Sequence, residues 1–365
     1  MVKNAGNGNL KSSFLNIVAQ NGWDHCLCKH AKEGTPIELV WDICLDGKDV
    51  SYRLSFQVGS IVENCNIVLE ELGTSEPRKE YDQEFNYFRC HDPNIGSGSF
   101  FNDRQMSFTL DSKEALVMQF KDILLNNQKI YGNELIRVET AQLLNKLQKY
   151  FEGYSVYTSA QFDSKKMREP VNMKVLDEHL NKDASNFTNV FNRYKSENVI
   201  WKNQFEEKLK DMIPDLQVSD IVSAYDKYIF KMVFGDEQYD LSDVSEGTLK
   251  GLILNMLINM TMGKPRSLLA IDEPETDLHP AWQKVIGEWI QTADTYKQCF
   301  ISTHSPDFLD SFTEGFIHGK VAVFAFGKDE PIKKIQYEDV KDELGDWELG
   351  DLYRTNDPAL GGWPW

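Results

Sequence analysis

The sequence predicts an α/β fold with a mainly parallel core sheet, an antiparallel β lobe and a helical insertion. Short apolar runs at 268–271 and 299–301 are bounded by polar residues and proline, as is typical of buried strands in a parallel sheet. Alternating apolar residues within 35–70, with Asp46-Gly47 between two of the runs, predict antiparallel strands joined in a hairpin. Helical spacing of apolar residues predicts the main helices, within 112–150 and 175–212.

Shorter segments complete this assignment. The β-branched and aromatic stretch 153–160 predicts a strand. The glycine-rich piece 96–99 has no Lys-Ser or Lys-Thr after it, so we interpret it as a flexible loop rather than a phosphate cradle. The charged, amphipathic segment 181–210 is interpreted as a solvated helix face. Near the C-terminus, strands are predicted at 321–326 and 332–337.

Composition limits the function classes. The chain has 365 residues, 41% of them hydrophobic, which is enough for a large core and more than one lobe. A net charge of −18 argues against a broad nucleic-acid groove. The apolar run 252–262 is too short to span a bilayer and residues 1–23 lack a secretory core, so we expect a cytoplasmic protein without a membrane partner.

The six cysteines do not suggest a disulfide framework. The cluster His25-Cys26-Leu27-Cys28-Lys29-His30 invites comparison with a zinc site. Its Cys-x-Cys spacing is tighter than usual and no second Cys/His pair follows at finger spacing, so we favour reduced structural or surface cysteines.

Polar residues follow both predicted core strands. Asp272 and Glu273 come directly after the first strand, and His304 follows the second. In parallel sheets ligands bind beyond the carboxyl ends of the strands. One carboxylate near Mg²⁺, one near an attacking water and a group that senses the γ-phosphate are what Mg-nucleotide hydrolysis needs. The alternative is a polar strand end followed by a turn, with a structural histidine.

Two helix starts lie beside these strands in the sequence. Ser245 occupies an N-cap position before an apolar helix, and Gly247 leaves backbone N–H groups open to an anion. An ordinary capped core helix is the alternative. Pro280 suits the first position of a second helix, whose apolar stripe from Trp282 to Ile290 predicts packing on a core rather than base stacking.

The order of these motifs resembles ABC-type ATPase heads, and more closely the stand-alone AAA-type ATPases related to the OLD, RecF and SMC proteins. The resemblance assigns the signature segment to Val244–Thr248 and the Walker B strand to Leu268–Glu273. It assigns the D-loop to Thr276–His279 and the switch histidine to His304. It covers about residues 240–310, and 349–352 also looks family-like. The implied fold is a P-loop ATPase head, and the implied catalytic residues are Glu273 and His304.

This family requires a Walker A loop near the N-terminus. The candidate spans residues 5–13, with Ala5 and Leu10 where the pattern G-x-x-x-x-G-K-[ST] has glycine. A side chain at residue 10 would restrict the backbone at a cost of ~1–3 kcal/mol. We therefore expect ATP binding to persist and hydrolysis to be weakened. The residues assigned to the nucleotide in this loop are Asn7, Gly8, Asn9, Lys11, Ser12 and Ser13.

The resemblance also implies Mg²⁺ as a cofactor, held by Ser12 and Asp272. In the family, the signature segment of one copy closes over ATP held by another, so Ser245, Glu246 and Gly247 would complete the partner's site. Asp277 would link the two sites, and ATP would favour a homodimer or a higher oligomer. Gln57 is the candidate for the loop that senses Mg²⁺.

The domain assignment gives 1–34 and 220–365 to the ATPase core, 35–110 to the β lobe and 111–219 to the helical insertion. Because only about sixty residues follow His304, we expect the chain to act through a separate effector, favouring a nuclease in bacterial anti-phage defence. The alternatives are a DNA-repair or chromosome-associated ATPase that clamps DNA, and a degenerate nucleotide-sensing scaffold.

Overall fold

The protein is described here from a computed structural model. The residues it describes are 32, 35–57, 66–74, 86–91, 97–100, 104–107, 134–173, 177, 179–260, 266–326, 332–358 and 360. The candidate Walker A loop and the His25–His30 cluster lie outside them. The chain divides into two compact units, Met1–Tyr154 and Ser155–Trp365.

The first unit contains an antiparallel sheet in which the described strands pair in sequence order, β1 to β6. The strands are β1 (Ile37–Leu45), β2 (Lys48–Gln57), β3 (Asn66–Thr74), β4 (Asn86–His91), β5 (Ser97–Phe100) and β6 (Arg104–Ser107). This meander confirms the predicted antiparallel lobe. The piece at 96–99 is a correction, because Ser97–Phe100 pairs with both neighbouring strands rather than forming a loop.

The β1–β2 hairpin forms where the sequence predicts it. Asp46 and Gly47 both have positive φ, 53° and 77°. That is the combination a two-residue type I′ turn requires, and Asp-Gly tolerates it best. The turn fixes the register of the two strands, with Leu45 opposite Lys48.

Helix α1 (Glu134–Glu152) packs on this sheet through aromatic side chains. Phe151 is 1% exposed, and its ring lies 5.5 Å from that of Trp41 and 5.7 Å from that of Tyr52. The hydroxyl of Tyr52 donates to buried Glu70 at 2.9 Å, which satisfies a polar pair inside the lobe.

The second unit contains the predicted core strands. They form a sheet in the order β13-β12-β7, from β7 (Tyr154–Thr158), β12 (Arg266–Asp272) and β13 (Tyr296–Ser302). Strands β12 and β13 are parallel, as predicted. An antiparallel sheet accompanies them, built from β8 (Val171–Asn172), β9 (Val218–Ala224), β10 (Lys227–Phe234) and β11 (Glu237–Asp240).

Helices surround these sheets. They are α2 (Ser164–Arg168), α3 (Phe187–Glu197), α4 (Val199–Met212), α5 (Glu246–Asn259), α6 (Pro280–Thr292), α7 (Pro306–Asp310), α8 (Thr313–Ile317) and α9 (Leu349–Arg354). Helix α5 is buried along most of its length, as its nearly uninterrupted apolar sequence requires. Within the described part of the chain, no helix is long and apolar enough to cross a membrane.

The charged segment 181–210 is more than a solvated face. It folds as α3 and α4, and Phe191, Trp201 and Phe205 are at most 2% exposed. Their rings contact one another, and the ring of Phe191 also contacts that of Phe230 on β10. Since the aromatic residues lie at helical spacing between the charges, one side of each helix enters the core while the charges remain outside.

The C-terminal strands are shorter than predicted. Only β14 (Phe324–Ala325) and β15 (Lys333–Lys334) pair among the described residues there. They pack with α8 and α9 around a separate small apolar cluster that includes Phe316, Ile335 and Leu352. The α/β fold class is confirmed. The domain boundaries stay a prediction, although residues 155–219 lie in the same compact unit as the core strands.

Candidate nucleotide site

The parallel pairing of β12 and β13 creates the candidate site. The register places Asp272 opposite Ser302, so both strands end at the same level. The Ser302 hydroxyl donates to Asp272 Oδ1. The Asp272 carboxylate remains exposed, which leaves it accessible to a ligand.

Glu273 begins a tight turn after β12. Its φ is +50°, a left-handed conformation that costs a residue with a Cβ about 1 kcal/mol. The backbone N–H of Glu273 donates to the Ser302 carbonyl at 3.0 Å, which continues the strand pairing by one residue. The Glu273 side chain is 48% exposed.

His304 lies beside this carboxylate. The imidazole Nε2 is 3.9 Å from Glu273 Oε1, and the histidine side chain is 65% exposed. An ion pair this exposed adds little stability. Stabilisation of the fold therefore does not explain why Glu273 and His304 lie side by side. Both groups instead face the solvent at the carboxyl edge of the sheet, where a phosphate and a water molecule have access to them.

Glu275 holds Thr303 and His304 in place, a role that the sequence did not reveal. Its Oε1 accepts from the Thr303 hydroxyl at 2.8 Å and from the His304 backbone N–H at 2.9 Å. Its Oε2 is buried and has no hydrogen-bond partner among the described residues. The second glutamate of the Asp-Glu-Pro-Glu run was the available signal.

At Asp277 and Gly247, the predicted D-loop and the predicted signature segment approach each other within one chain. Asp277 has a φ of +67°, and its side chain is exposed. A Cβ added to Gly247 would lie 2.9 Å from the Asp277 carbonyl oxygen, closer than a side chain allows. Glycine is required at 247 because of this approach.

Ser245 is the N-cap of α5, as predicted. Its hydroxyl accepts from the Thr248 N–H at 3.1 Å. Ser245 and Glu246 are exposed, so the N-terminus of this helix is open to solvent. Such an end carries partial positive charge and unpaired N–H groups, and it therefore suits a phosphate.

Arg168, at the end of α2, supports the predicted signature segment through hydrogen bonds. Its guanidinium donates to the carbonyls of Leu241 at 2.7 Å and Val244 at 2.9 Å, and to Glu246 Oε1 at 3.2 Å. Because most of these acceptors are backbone carbonyls more than 70 residues away, no sequence pattern marks the contact.

Helix α6 begins at Pro280, as predicted. His279 is its N-cap, with Nδ1 accepting from the Ala281 N–H at 3.2 Å. Trp289 is 4% exposed and donates from Nε1 to Asp211 at 3.0 Å. The packing interpretation of its apolar stripe is confirmed.

For the other predicted residues, the assignment to this site stays a prediction. Asn7, Gly8, Asn9, Lys11, Ser12 and Ser13 lie outside the described residues, and their roles stay predictions. Gln57 is the last residue of β2, in the first unit. Two residues without a predicted role do reach the site, Ser159 and Lys250.

The described residues supply only part of a Mg²⁺ site. Among them, no group of three or more His, Cys, Asp or Glu side chains is placed to hold a metal ion. Mg²⁺ bound with a nucleotide usually takes one or two protein oxygens and completes its shell with phosphates and water. The exposed carboxylate of Asp272 meets that requirement.

Fold and site together define an α/β ATPase domain, with carboxylates at the ends of its core strands. The chain belongs to the AAA ATPase domain family, whose model matches residues 78–309, more than half of the chain. The matched range includes the predicted signature segment, the Asp272-Glu273 pair and His304, and it begins after the candidate Walker A loop. A comparison with curated proteins finds no match.

Solved structures that resemble the chain include heads of Smc proteins. An Smc head bound to the C-winged helix domain of ScpA is 12% identical, with a TM-score of 0.40, over 75% of this chain and 76% of that chain. An Smc head with an extended coiled coil, bound to the C-terminal domain of ScpA and derived from Pyrococcus furiosus, is 10% identical, with a TM-score of 0.33, over 81% and 80%.

Replacing Arg168 with alanine should loosen the signature segment. The substitution removes the hydrogen bonds to Leu241, Val244 and Glu246, and we expect the free energy of unfolding to fall by about 1–2 kcal/mol. Amide hydrogen exchange in a peptide covering 240–248 should accelerate. Arg193→Ala, which removes a surface pair with Glu197 on α3, is the control. Equal exchange in the two variants would show that Arg168 does not hold the segment.

Proposed function

We propose that this chain binds Mg-ATP and hydrolyses it at a site shared between two copies of the chain. The observation that carries the proposal is the pairing of Glu273 with His304, 3.9 Å apart and both exposed, beside Asp272 at the end of two parallel strands. The membership of the AAA ATPase domain family supports the same activity.

Each residue has a distinct role in this proposal. Glu273 accepts a hydrogen bond from the attacking water and polarises it, and His304 donates to the γ-phosphate. Asp272, together with Ser12, would hold Mg²⁺, which withdraws negative charge from the phosphates when bound. Lys11 and the N–H groups of residues 7–13 would bind the phosphates. Glu275 keeps His304 in position through its backbone N–H.

The second copy supplies the other half of the site. Ser245, Glu246 and Gly247 lie at an exposed helix N-terminus, where a phosphate held by a partner would complete its hydrogen bonding. The contact between Gly247 and the Asp277 carbonyl joins this surface to the turn that follows Glu273. Nucleotide binding by one copy would therefore affect the carboxylates at the end of β12 in the other copy.

Glu273→Gln should abolish turnover and preserve binding. The amide keeps the size of the side chain and loses the charge that polarises water, so we expect kcat to fall by about 100-fold or more. The affinity for a fluorescent ATP analogue should remain close to that of the wild type, whereas Lys11→Ala should lose that affinity.

The matched control is Glu314→Gln. Glu314 forms another exposed pair with a histidine, His318, at 3.4 Å on α8. The Glu314→Gln substitution should leave both turnover and binding unchanged. Wild-type turnover that survives in Glu273→Gln would contradict the catalytic role of Glu273, and wild-type binding in Lys11→Ala would contradict the Walker A assignment.

Ser245→Arg should prevent ATP-dependent association. A long cation at this cap blocks the helix N-terminus without entering the core, because Ser245 is exposed. Light scattering with ATP and Mg²⁺ should report the monomer mass for this variant and a larger mass for the wild type. Ser223→Arg, on the exposed part of β9, should assemble like the wild type. Assembly of Ser245→Arg would exclude this surface from the shared site.

We further propose that the ATP cycle controls a separate effector protein, a nuclease being the favoured class, in bacterial anti-phage defence. The resemblance to OLD-type ATPases supports this role. Co-purification from the native host followed by mass spectrometry should recover a nuclease in an amount that changes in Glu273→Gln. If duplex DNA is instead retained by the purified chain, with affinity falling steeply as salt rises, the DNA-clamping alternative is correct.

A further inference from the structure

Lys250 is a buried lysine in the middle of the helix that begins at the signature segment. It is 5% exposed. Within the described part of the chain, its ammonium donates to the hydroxyl of Ser159 and forms no ion pair. Burying an ammonium that has no carboxylate within ion-pair distance is costly, and an apolar residue of similar size would fill the space without that cost. Packing alone therefore does not account for lysine at this position.

Ser159 connects this lysine to the end of β12. It lies in a short 3₁₀ turn, Ser159–Gln161, directly after β7. Its hydroxyl donates to the backbone carbonyl of Asp272 at 3.2 Å and to that of Glu273. The same oxygen accepts from Lys250. One hydroxyl thus joins α5, the turn after β7 and the end of β12.

The peptide groups of Glu273 are consequently held on both sides. Its N–H donates to Ser302, its carbonyl accepts from Ser159, and the same carbonyl accepts the Thr276 N–H at 3.3 Å. A non-glycine residue with a φ of +50° needs such restraint to keep one conformation. The direction of the Glu273 carboxylate toward His304 depends on it.

The charge of Lys250 is also directed at this site. Burial lowers the pKa of Lys250 to about 8, and the carboxylates of Asp277, Glu275 and Glu273 act in the opposite direction. The side chain therefore remains mainly an ammonium at neutral pH. The three acids that stabilise it all belong to the turn after β12.

We propose that Lys250 and Ser159 are positioning residues, which transmit the state of the signature helix α5 to the backbone of Glu273 within one chain. Movement of α5 when its exposed N-terminus engages a phosphate would alter the Lys250–Ser159 contact and hence the direction of the Glu273 carboxylate. The inference rests on the proposed ATPase function. It adds to that function a coupling, within one chain, between α5 and Glu273.

The first test separates catalysis from binding. Lys250→Met and Ser159→Ala should each lower kcat for ATP by about 10- to 100-fold, because a small misplacement of a catalytic group has effects of that size. KM for ATP should stay within about twofold of wild type. The double variant should be no slower than the slower single variant, since the two residues act through one contact. Ser159→Thr, which keeps the hydroxyl, should restore the rate.

The control is Lys208→Met. Burial also lowers the pKa of Lys208, a half-buried lysine on α4 that contacts neither Ser159 nor Glu273. Its replacement should leave kcat unchanged.

The second test does not depend on turnover. Amide exchange in a peptide covering 272–279 should be about fivefold faster or more in Lys250→Met and Ser159→Ala, because the turn amides lose their support. A peptide covering 218–234, the β9–β10 hairpin, should exchange as in the wild type. If the wild type proves to have no ATPase activity, the proposed function fails, and the exchange experiment still decides whether the contact restrains the turn.

Several outcomes would overturn the inference. One is a Lys250→Met variant that matches Lys208→Met in both kcat and exchange. Others are a loss confined to KM, or effects of Lys250→Met and Ser159→Ala that simply add. If Lys250→Met does not fold, as judged by its circular dichroism, Ser159→Ala and its rescue by Ser159→Thr decide the question.

Discussion

The parallel register of β12 and β13 is the constraint on which the candidate site depends. Asp272 opposite Ser302 makes the two strands end together, and this brings Glu273 and His304 close to each other although 30 residues separate them in the chain. Side chains alternate between the faces of a strand, so a slip of one residue would move each of these groups to the opposite face. The hydrogen bond from Glu273 N–H to Ser302 extends the pairing into the turn and fixes where the strands stop.

The sequence predicts the parts of the site that local patterns encode. Apolar runs locate β12 and β13, the N-cap rule identifies Ser245, and the preference of proline for the first helical turn locates the start of α6. Ser159, Lys250, Arg168 and Glu275 are missed for a shared reason. Most of their partners are backbone groups or distant hydroxyls, which depend on tertiary packing and impose no residue type or spacing in the sequence. The pairing of Ser97–Phe100 is missed because glycine and serine have low strand propensity, which the neighbouring strands override.

The turn after β12 combines strain with acidity. Glu273 and Asp277 both have positive φ, and four acidic residues lie within six positions, at 272, 273, 275 and 277. Such a turn is unfavourable in isolation, because like charges repel and the conformations are poorly populated. It is held by contacts from outside the turn: Ser302 from β13, Ser159 from the segment after β7, and the approach of Gly247 from α5. Strain maintained by several independent elements is typical of functional sites.

Charge balance shows what the proposed binding of a triphosphate at this surface would require. Asp272, Glu273 and Asp277 are all exposed at the edge of the sheet, in a chain of net charge −18. A nucleotide placed here without counter-charge would be repelled by each of them. The described residues of the site offer His304, the buried ammonium of Lys250 and the positive end of α5. These do not balance three carboxylates and a triphosphate, so in the proposed function Mg²⁺ and Lys11 would have to make up the deficit. Under the same proposal, the charges would resist the approach of a second acidic copy until the nucleotide and its metal lay between the two, so assembly would depend on both.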